Sequence, residues 1–129
     1  MRDENYLFVY GTLLKSIDHP MHQLLVRYAD FVGSGSFQGK LYDLGRYPGA
    51  VASNETSDKV HGELYRLKDS ERIFRELDEY EGREFRRERV SISLENGKKI
   101  LSWIYLYRRP SRGFKVISTG DYAKFRGPN

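Results

Sequence analysis

Residues 6–14 have the sequence Tyr-Leu-Phe-Val-Tyr-Gly-Thr-Leu-Leu, and this stretch decides how the fold begins. The apolar, β-rich run from Tyr6 to Tyr10 predicts a buried strand, and Gly11-Thr12 predicts a tight loop where that strand ends. Successive backbone N–H groups in such a loop can hold a carboxylate or a developing oxyanion without any side chain. The loop is therefore a candidate binding element, although many proteins end a strand at glycine for structural reasons alone.

A second informative stretch runs from Glu71 to Glu81 and predicts a helix, with an N-cap supplied by Lys68-Asp69-Ser70. At about 100° per residue, Glu81 lies about 40° from Leu77 and so inside the apolar stripe of the helix. The stripe also contains Ile73, Phe74 and Tyr80, whereas the other acids are predicted to form the solvated face: Glu71, Glu76, Asp78 and Glu79.

The inward position of Glu81 favours a chemical role for its side chain. A carboxylate that loses its hydration has a raised pKa, which costs stability and suits proton transfer. The structural alternative is that the helix frays before Gly82, the expected C′ residue, and that Glu81 turns out to water.

The remaining elements predict one α+β domain over residues 1–129, built on a mixed, strongly bent β-sheet that approaches a barrel and is flanked by about two helices. Residues 20–29 predict a first helix, the glycine-rich residues 31–42 predict bent or bulged strands, and residues 60–67 predict a further strand. Asn96-Gly97 predicts a two-residue type I′ turn in a hairpin over residues 90–101. Its second strand, residues 100–107, is apolar on both faces and is predicted to be central. The tail from Gly113 to Asn129 has no clear pattern.

Composition narrows the classes of function. The chain has 129 residues, which suits one domain with its own core. It has 0 cysteines, which excludes disulfides, thiolate metal ligands and cysteine nucleophiles and is consistent with the reducing cytoplasm. Residues 1–5 lack the basic start of a secretory signal, and no apolar run approaches the roughly 18 residues of a membrane span. We therefore expect a cytoplasmic protein with no membrane partner.

The positive charge of the chain leaves two kinds of anionic partner open. The formal net charge is +4, and a basic cluster follows the second predicted helix, with members Arg83, Arg86, Arg87 and Arg89. Interleaved acids such as Glu84 and Glu88 would repel phosphates, so we interpret the arginines as part of a solvated surface on which they balance the acids, and we expect no nucleic-acid partner. His19, His22 and His61 are not accompanied by an acid or cysteine cluster, so we expect neither a metal nor another cofactor.

Several short motifs in a fixed order resemble the gamma-glutamylcyclotransferase-like family. The main matches are Tyr10-Gly11-Thr12-Leu13 and Leu77-Asp78-Glu79-Tyr80-Glu81-Gly82. Tyr47-Pro48-Gly49, Val60-His61-Gly62-Glu63-Leu64-Tyr65 and Gly120-Asp121-Tyr122 support them. Within the family, the chain is most similar to the AIG2-like branch, which includes gamma-glutamylamine cyclotransferase and the plant avirulence-induced proteins.

The resemblance implies a reaction and a role for each main motif. The α-amine of a gamma-glutamyl compound would attack its own side-chain carbonyl, giving 5-oxoproline and releasing an amine. Glu81 would be the general acid and base, and Tyr10, Gly11, Thr12 and Leu13 would hold the gamma-glutamyl group. Such a reaction needs no outside nucleophile and no cofactor.

The sequence also departs from the family pattern at Phe85. Many relatives carry a tyrosine two residues before the arginine that corresponds to Arg87, and here the phenol is missing. Other hydroxyl donors are available, and the sequence leaves open which of them faces a cavity: Tyr42, Tyr47, Tyr65 and Tyr105. The identity of the departing amine and the oligomeric state stay open as well. The alternatives to an enzyme are a non-catalytic binding module for a carboxylated metabolite and, third, a nucleic-acid-binding protein.

Overall fold

The computed structural model describes residues 5–17 and 19–127. Its strands and helices follow one another along the chain as β1 (Tyr6–Val9), α1 (His22–Tyr28), β2 (Ala29–Asp43), β3 (Pro48–Ala52), β4 (Lys59–Leu67), α2 (Ser70–Glu81), β5 (Phe85–Leu94), β6 (Lys99–Tyr107), β7 (Lys115–Val116) and α3 (Tyr122–Arg126).

The sheet is mixed and closes into a barrel, as the sequence predicted. Its strand order is β3-β2-β4-β1-β6-β5, in which β1 and β6 are parallel and the other neighbours are antiparallel. β2 pairs again with β5, at Gly35–Leu94 and Ser36–Ser93. This last pairing joins β5, at one end of the path, to β2, so β2, β4, β1, β6 and β5 form a five-stranded barrel and β3 lies outside it.

β2 is long enough to serve both the barrel and a smaller extension of the sheet. It spans 15 residues, and its register against β4 shifts between Phe31 and Gly33, which is the predicted bulge. Its first part pairs with β4 and β5, and its last residues pair with β3 and β7. The bulge lies within the barrel part of β2, where it increases the local twist. The change from the barrel to the outer sheet comes later, between Gln38, which still pairs with β4, and Gly39, which pairs with β3.

The core lies inside the barrel and under α2. The largest fully buried side chains come from β1, α1, β2, β4, α2, β5 and β6, and include Leu7, Phe8, Leu25, Leu41, Leu64, Ile73, Leu77, Ile92 and Ile104. Each such side chain stabilises the fold by roughly 1.5–3 kcal/mol relative to an exposed one. Since β1 is paired on both sides and buried over its last three residues, the loop that follows it starts from a rigid strand.

α2 begins and ends where the sequence predicted. The Asp69 carboxylate accepts a hydrogen bond from the Arg72 N–H at 3.2 Å, which satisfies one free donor of the first turn. Ile73 and Leu77 are buried, and the last helical residue is Glu81. The prediction for Tyr80 was wrong, because this residue is 38% exposed at the edge of the apolar stripe.

The predicted type I′ turn of the β5–β6 hairpin was also wrong. The Gly97 N–H bonds to the Leu94 carbonyl at 3.0 Å and the Leu94 N–H to the Lys98 carbonyl at 2.8 Å, so the loop has three residues, Glu95 to Gly97. A type I′ turn needs positive φ at both central residues, and among the described residues only glycines have positive φ, including Gly97 at 90°. The turn is therefore a type I turn followed by a left-handed glycine.

The central position of β6 is confirmed for most of its length. It lies between β1 and β5 and is buried from Ser102 to Tyr107, apart from the half-buried Trp103. Leu101 near the hairpin turn is 55% exposed, contrary to the prediction that both faces are covered throughout.

The tail forms structure that the sequence did not predict. β7 pairs with the end of β2, and α3 follows with Asp121 as its N-cap, so the described residues form three helices rather than about two. None of the helices in the described ranges is long and apolar enough to cross a membrane.

Candidate active site

The loop after β1 presents free backbone donors. The Gly11 carbonyl accepts the Leu14 N–H at 3.1 Å, which closes a turn. Within the described chain, no protein acceptor bonds to the N–H of Gly11, Thr12 or Leu13. A β-carbon at Gly11 would lie 2.8 Å from the side chain of Pro48, so only glycine lets the loop pack this closely on β3.

The loop and the end of α2 meet at one small cavity. It is lined by the end of β1, by Gly11, Thr12 and Leu13, and by Tyr80 and Glu81, with Tyr47, Pro48, Phe85 and Tyr105 completing its wall. Its volume is about 130 Å³. This is below the roughly 300–1,000 Å³ of pockets that hold drug-sized ligands, so the cavity suits a small metabolite.

Among the residues that the structure describes, Glu81 is the one charged residue that lines this cavity. It is half-buried, its carboxylate forms no hydrogen bond or ion pair within residues 5–17 and 19–127, and burial raises the pKa of that carboxyl from 4.5 to about 7. The cause is lost hydration without a compensating cation. At neutral pH the group is therefore balanced between its acid and base forms.

Phenol groups surround Glu81. The negative charge of Glu81 contributes to raising the pKa of Tyr10, Tyr47, Tyr80 and Tyr105, in each case after the larger effect of burial. These tyrosines therefore stay protonated and act as neutral hydrogen-bonding groups. The cavity thus combines one titratable carboxyl with uncharged donors.

Tyr10 is a structural tyrosine whose hydroxyl is fully engaged. It donates to the Tyr105 carbonyl at 2.5 Å and accepts the Ala50 N–H at 3.1 Å. These bonds tie the end of β1 to β6 and β3. Tyr10 therefore contributes its ring to the cavity wall, and its hydroxyl holds three strands in place.

Tyr80 connects α2 to the loop. Its hydroxyl lies 2.9 Å from the Thr12 hydroxyl and 3.1 Å from Nε2 of His19. Nδ1 of His19 accepts the Met21 N–H, so the proton of the neutral ring is assigned to Nε2, which donates to Tyr80. Tyr80 then donates to Thr12, and this chain of bonds holds the loop against the helix.

Asp78 does not lie on a purely solvated face, which corrects the prediction for this residue. Its carboxylate accepts two hydrogen bonds from Arg87, both at 3.0 Å, and one from the Tyr105 hydroxyl at 2.6 Å. The Arg87 guanidinium, followed by the Tyr105 hydroxyl, holds the pKa of the Asp78 carboxyl below its ordinary value, against the opposing effect of burial. The network fastens the last turn of α2, which carries Glu81, to β5 and β6.

Two of the four tyrosines left open by the sequence, Tyr47 and Tyr105, line the cavity. The Tyr65 hydroxyl instead donates to Glu63 at 3.0 Å, and Tyr42 does not line the cavity. Phe85 is part of the wall and packs against Tyr47 with ring centroids 5.8 Å apart. Because position 85 is phenylalanine rather than tyrosine, the cavity wall is apolar at this point.

The remaining polar candidates lie outside the cavity. Among the described residues, no group of three or more histidines and acids is arranged to hold a metal ion. His22 bonds through Nδ1 to the Leu13 carbonyl at 2.7 Å and so supports the loop from behind. In the basic cluster, Arg86 pairs with Glu88 and Arg87 with Asp78.

Comparison with known proteins places these features in a family. Residues 7–124 match the family model described as "Gamma-glutamyl cyclotransferase, AIG2-like". YtfP of Escherichia coli, named as a gamma-glutamylcyclotransferase family protein, is 37% identical over 119 residues, which cover 90% of this chain and 94% of YtfP. A relative in Methanocaldococcus jannaschii is 32% identical over 124 residues and covers 95% of this chain and 98% of its own.

Solved structures agree with the fold. The solution structure of Escherichia coli YtfP has a TM-score of 0.64 and 35% identity, with 91% of this chain and 95% of that chain covered. The crystal structure of an AIG2-like protein from Mus musculus has a TM-score of 0.65 and covers 99% of this chain and 98% of its own. At 21% identity this second likeness concerns the fold alone.

Proposed function

Because this chain belongs to the gamma-glutamyl cyclotransferase, AIG2-like family, we propose that it cyclises a gamma-glutamyl compound to 5-oxoproline and releases the attached amine. In this proposal Glu81 is the general acid and base, and the backbone N–H groups of Gly11, Thr12 and Leu13 bind the gamma-glutamyl group. Tyr10 forms part of the wall beside that group.

The observation that carries the proposal is the state of Glu81. A single carboxyl, with a pKa raised to about 7 and without a hydrogen-bond partner among the described residues, lines the same cavity as the loop whose backbone donors are free. An acid–base catalyst works best when its pKa lies near the working pH. A carboxylate kept only for stability would instead be paired or hydrogen-bonded.

Glu81 can account for the whole movement of protons. The substrate arrives as an α-ammonium ion, and the Glu81 carboxylate removes one proton from it. The free amine then attacks the γ-carbonyl carbon, a C–N bond forms and a tetrahedral intermediate results. When the original amide C–N bond breaks, protonated Glu81 donates its proton to the departing nitrogen. The restored carboxylate then accepts the second proton from the attacking nitrogen, which keeps one hydrogen in the lactam ring. That proton passes to the released amine, which leaves as an ammonium ion, and Glu81 is again a carboxylate.

The loop donors have a matching role in the intermediate. The γ-carbonyl oxygen gains negative charge as the ring closes, and fixed N–H groups stabilise that charge. Loss of one such donor typically costs about 3 kcal/mol of transition-state stabilisation. The bonds from Tyr80 to Thr12 and from His22 to Leu13 hold this loop still. The donors therefore need little reorganisation during the reaction.

The test is release of 5-oxoproline from gamma-glutamyl amines and gamma-glutamyl dipeptides by the purified protein. We expect kcat/KM to fall below a pH of about 7 as Glu81 becomes protonated, because a protonated carboxyl cannot accept the ammonium proton. Glu81→Gln should lose at least about a hundredfold in kcat, in line with the usual contribution of a general acid–base group.

Glu79→Gln is the matched control, since Glu79 is exposed on the same helix and does not line the cavity. Full activity in Glu81→Gln would contradict the mechanism. Saturable binding of gamma-glutamyl compounds with no turnover by the unaltered protein would instead identify a binding module. Binding to RNA or DNA that weakens steeply with salt would support the nucleic-acid alternative.

A further inference from the structure

Three side chains form a continuous row of hydrogen bonds that ends at the cavity, and we call this row the hydroxyl relay: His19, Tyr80 and Thr12. The Tyr80 hydroxyl lies 3.1 Å from Nε2 of His19 and 2.9 Å from the Thr12 hydroxyl. The rings of His19 and Tyr80 meet edge to face, with centroids 5.3 Å apart. Tyr80 and Thr12 line the cavity, whereas His19 does not. The relay therefore connects a residue outside the cavity to a hydroxyl on its wall.

The tautomer of His19 gives the relay a direction. Nδ1 of His19 accepts the Met21 N–H at 3.1 Å, and a backbone N–H can only donate. The proton of the neutral ring is thus assigned to Nε2, which donates to the Tyr80 oxygen. Because a phenol is a stronger acid than an aliphatic alcohol, Tyr80 donates its own proton to the Thr12 oxygen. Each bond in such a row polarises the next one.

The proton of the Thr12 hydroxyl is the end of the relay. Within residues 5–17 and 19–127, Tyr80 is the only group that hydrogen-bonds to this hydroxyl, and it does so as the donor. The Thr12 proton is therefore left to donate to another acceptor, and Thr12 lines the same cavity as Glu81. If Nε2 of His19 were an acceptor, Tyr80 would donate to it and Thr12 would donate to Tyr80. Thr12 would then offer only lone pairs to the cavity.

The direction of the relay matters for a ligand group that can only accept hydrogen bonds, and this inference rests on the proposed function. A gamma-glutamyl group has an α-ammonium ion, a γ-carbonyl oxygen and an α-carboxylate. The proposed function assigns Glu81 to the ammonium ion and the loop N–H groups to the γ-carbonyl oxygen. The α-carboxylate accepts hydrogen bonds but cannot donate one. The described residues that line the cavity include no lysine or arginine, so this carboxylate depends on neutral donors.

We infer that the Thr12 hydroxyl donates to the α-carboxylate of the bound gamma-glutamyl group, and that Tyr80 and His19 are positioning residues that keep Thr12 a donor. The Met21 N–H sets the tautomer of His19. His19 sets the direction of the Tyr80 hydroxyl, and Tyr80 sets the direction of the Thr12 hydroxyl. A backbone donor outside the cavity thereby fixes the polarity of a binding group inside it.

Nitrogen-15 NMR of the imidazole rings tests the direction of the relay without any substrate. We expect the neutral His19 ring to carry its proton on Nε2, with Nδ1 showing the chemical shift of an unprotonated acceptor. His19→Gln assigns the signals, because the spectrum of that variant lacks them. A neutral His19 ring that carries its proton on Nδ1 would overturn the inference.

The kinetic test compares Tyr80→Phe in two backgrounds, with a gamma-glutamyl compound that the unaltered protein cyclises. In the unaltered background Tyr80→Phe removes the relay. KM should rise about fivefold with kcat nearly unchanged, because the carboxylate is present in both the ground state and the transition state. His19→Glu places an ionised acceptor at position 19, so it reverses the relay and should raise KM further. In this second background Tyr80→Phe should lower KM, because the Thr12 proton is released to the substrate.

The opposite signs in the two backgrounds separate the relay from other effects. The charge at position 19 is the same with and without Tyr80→Phe, so it cancels within each pair. Two structural losses would instead add and raise KM in both backgrounds. Tyr28→Phe is the matched control for loss of a phenol, since Tyr28 does not line the cavity, and it should change neither KM nor kcat.

Two substitutions at Thr12 test the end of the relay. Thr12→Val keeps the shape of the side chain but removes the hydroxyl, so KM should rise about tenfold, as expected for a lost hydrogen bond to a charged group. Thr12→Ser keeps the donor, and its KM should stay within about threefold of that of the unaltered protein.

Two kinetic results would overturn the inference. The first is an effect of Tyr80→Phe on KM that has the same sign in both backgrounds, or no effect in either. The second is an equal KM for Thr12→Val and Thr12→Ser. Either result, with turnover by the unaltered protein, would leave the proposed function intact. Absence of 5-oxoproline release from every gamma-glutamyl compound would overturn the proposed function and this inference together.

Discussion

Replacing Glu81 by glutamine should remove activity and, above neutral pH, make the protein more stable. Burial raises the pKa of the Glu81 carboxyl to about 7 from the ordinary 4.5, so the folded state disfavours its ionised form. At 1.36 kcal/mol per pKa unit, the difference corresponds to about 3 kcal/mol. Glu81 is half-buried, and residual contact with water reduces the expected gain to roughly 1–3 kcal/mol.

The sign of the effect on the free energy of unfolding follows from the pH at which the Glu81 carboxyl binds its proton in the folded and in the unfolded state. Below about pH 4.5 the carboxyl is protonated in both states and costs nothing. Between that value and about pH 7 the unfolded chain loses its proton first, so the free energy of unfolding falls as pH rises. Above about pH 7 the full cost is present. Glutamine is neutral throughout, so the advantage of Glu81→Gln should grow across this window and then stay constant.

Denaturant unfolding followed by circular dichroism, at a pH near 5 and again near 8, measures the difference in the free energy of unfolding between Glu81→Gln and the unaltered protein. Glu79→Gln provides the comparison, because it removes an exposed carboxylate from the same helix without touching the cavity. We expect it to have a similar, small effect at both pH values. A gain for Glu81→Gln that is equal near pH 5 and pH 8, or no gain at either, would refute the account of Glu81 as a desolvated and unpaired carboxyl.

Two further predictions concern a close backbone approach in the fold and one support of the site. Gly120→Ala should destabilise the protein by more than about 3 kcal/mol, because its β-carbon would lie 1.8 Å from the Lys59 carbonyl oxygen at a φ of 66°. Gly113→Ala has a φ of 91° but open space around it, so it should cost only about 1–2 kcal/mol in the same thermal unfolding assay. Tyr105→Phe should cost about 1 kcal/mol by removing the hydrogen bond to Asp78. This cost should disappear in an Asp78→Ala background, and an unchanged cost there would assign it to packing.

Much of the fold could be predicted because the relevant signals are local. The apolar run at 6–10, the N-cap at Asp69 and the glycine-rich bend after Phe31 each act through neighbouring residues, and each prediction agrees with the structure. The turn at Asn96-Gly97 was predicted wrongly, because the same dipeptide also suits a three-residue loop in which glycine alone is left-handed. The register of the two strands decides whether the two-residue or the three-residue loop forms, and the periodicity of the sequence carries no information about that register.

The candidate site could be predicted only in part for the same reason. Glu81 and the loop at 10–13 were found from local pattern and resemblance, and the structure places both at one cavity. The roles of Tyr47, Tyr105 and Asp78 depend on contacts between residues 27 to 37 positions apart in the chain, such as Tyr47 with Glu84 and Tyr105 with Asp78. No spacing rule along the sequence reports such contacts.

The parallel pairing of β1 with β6 has a consequence for how the protein is made. Leu7 in β1 pairs with Trp103 in β6. β1 positions the loop at 10–13, and its second edge therefore stays uncovered until almost the entire chain has been synthesised. At the usual 5–20 residues per second, a ribosome needs roughly 5–20 s to deliver that partner. Until then a strongly apolar edge is exposed to other nascent chains. Early release of the chain would therefore yield an aggregation-prone fragment, and the candidate site can form only when synthesis is nearly complete.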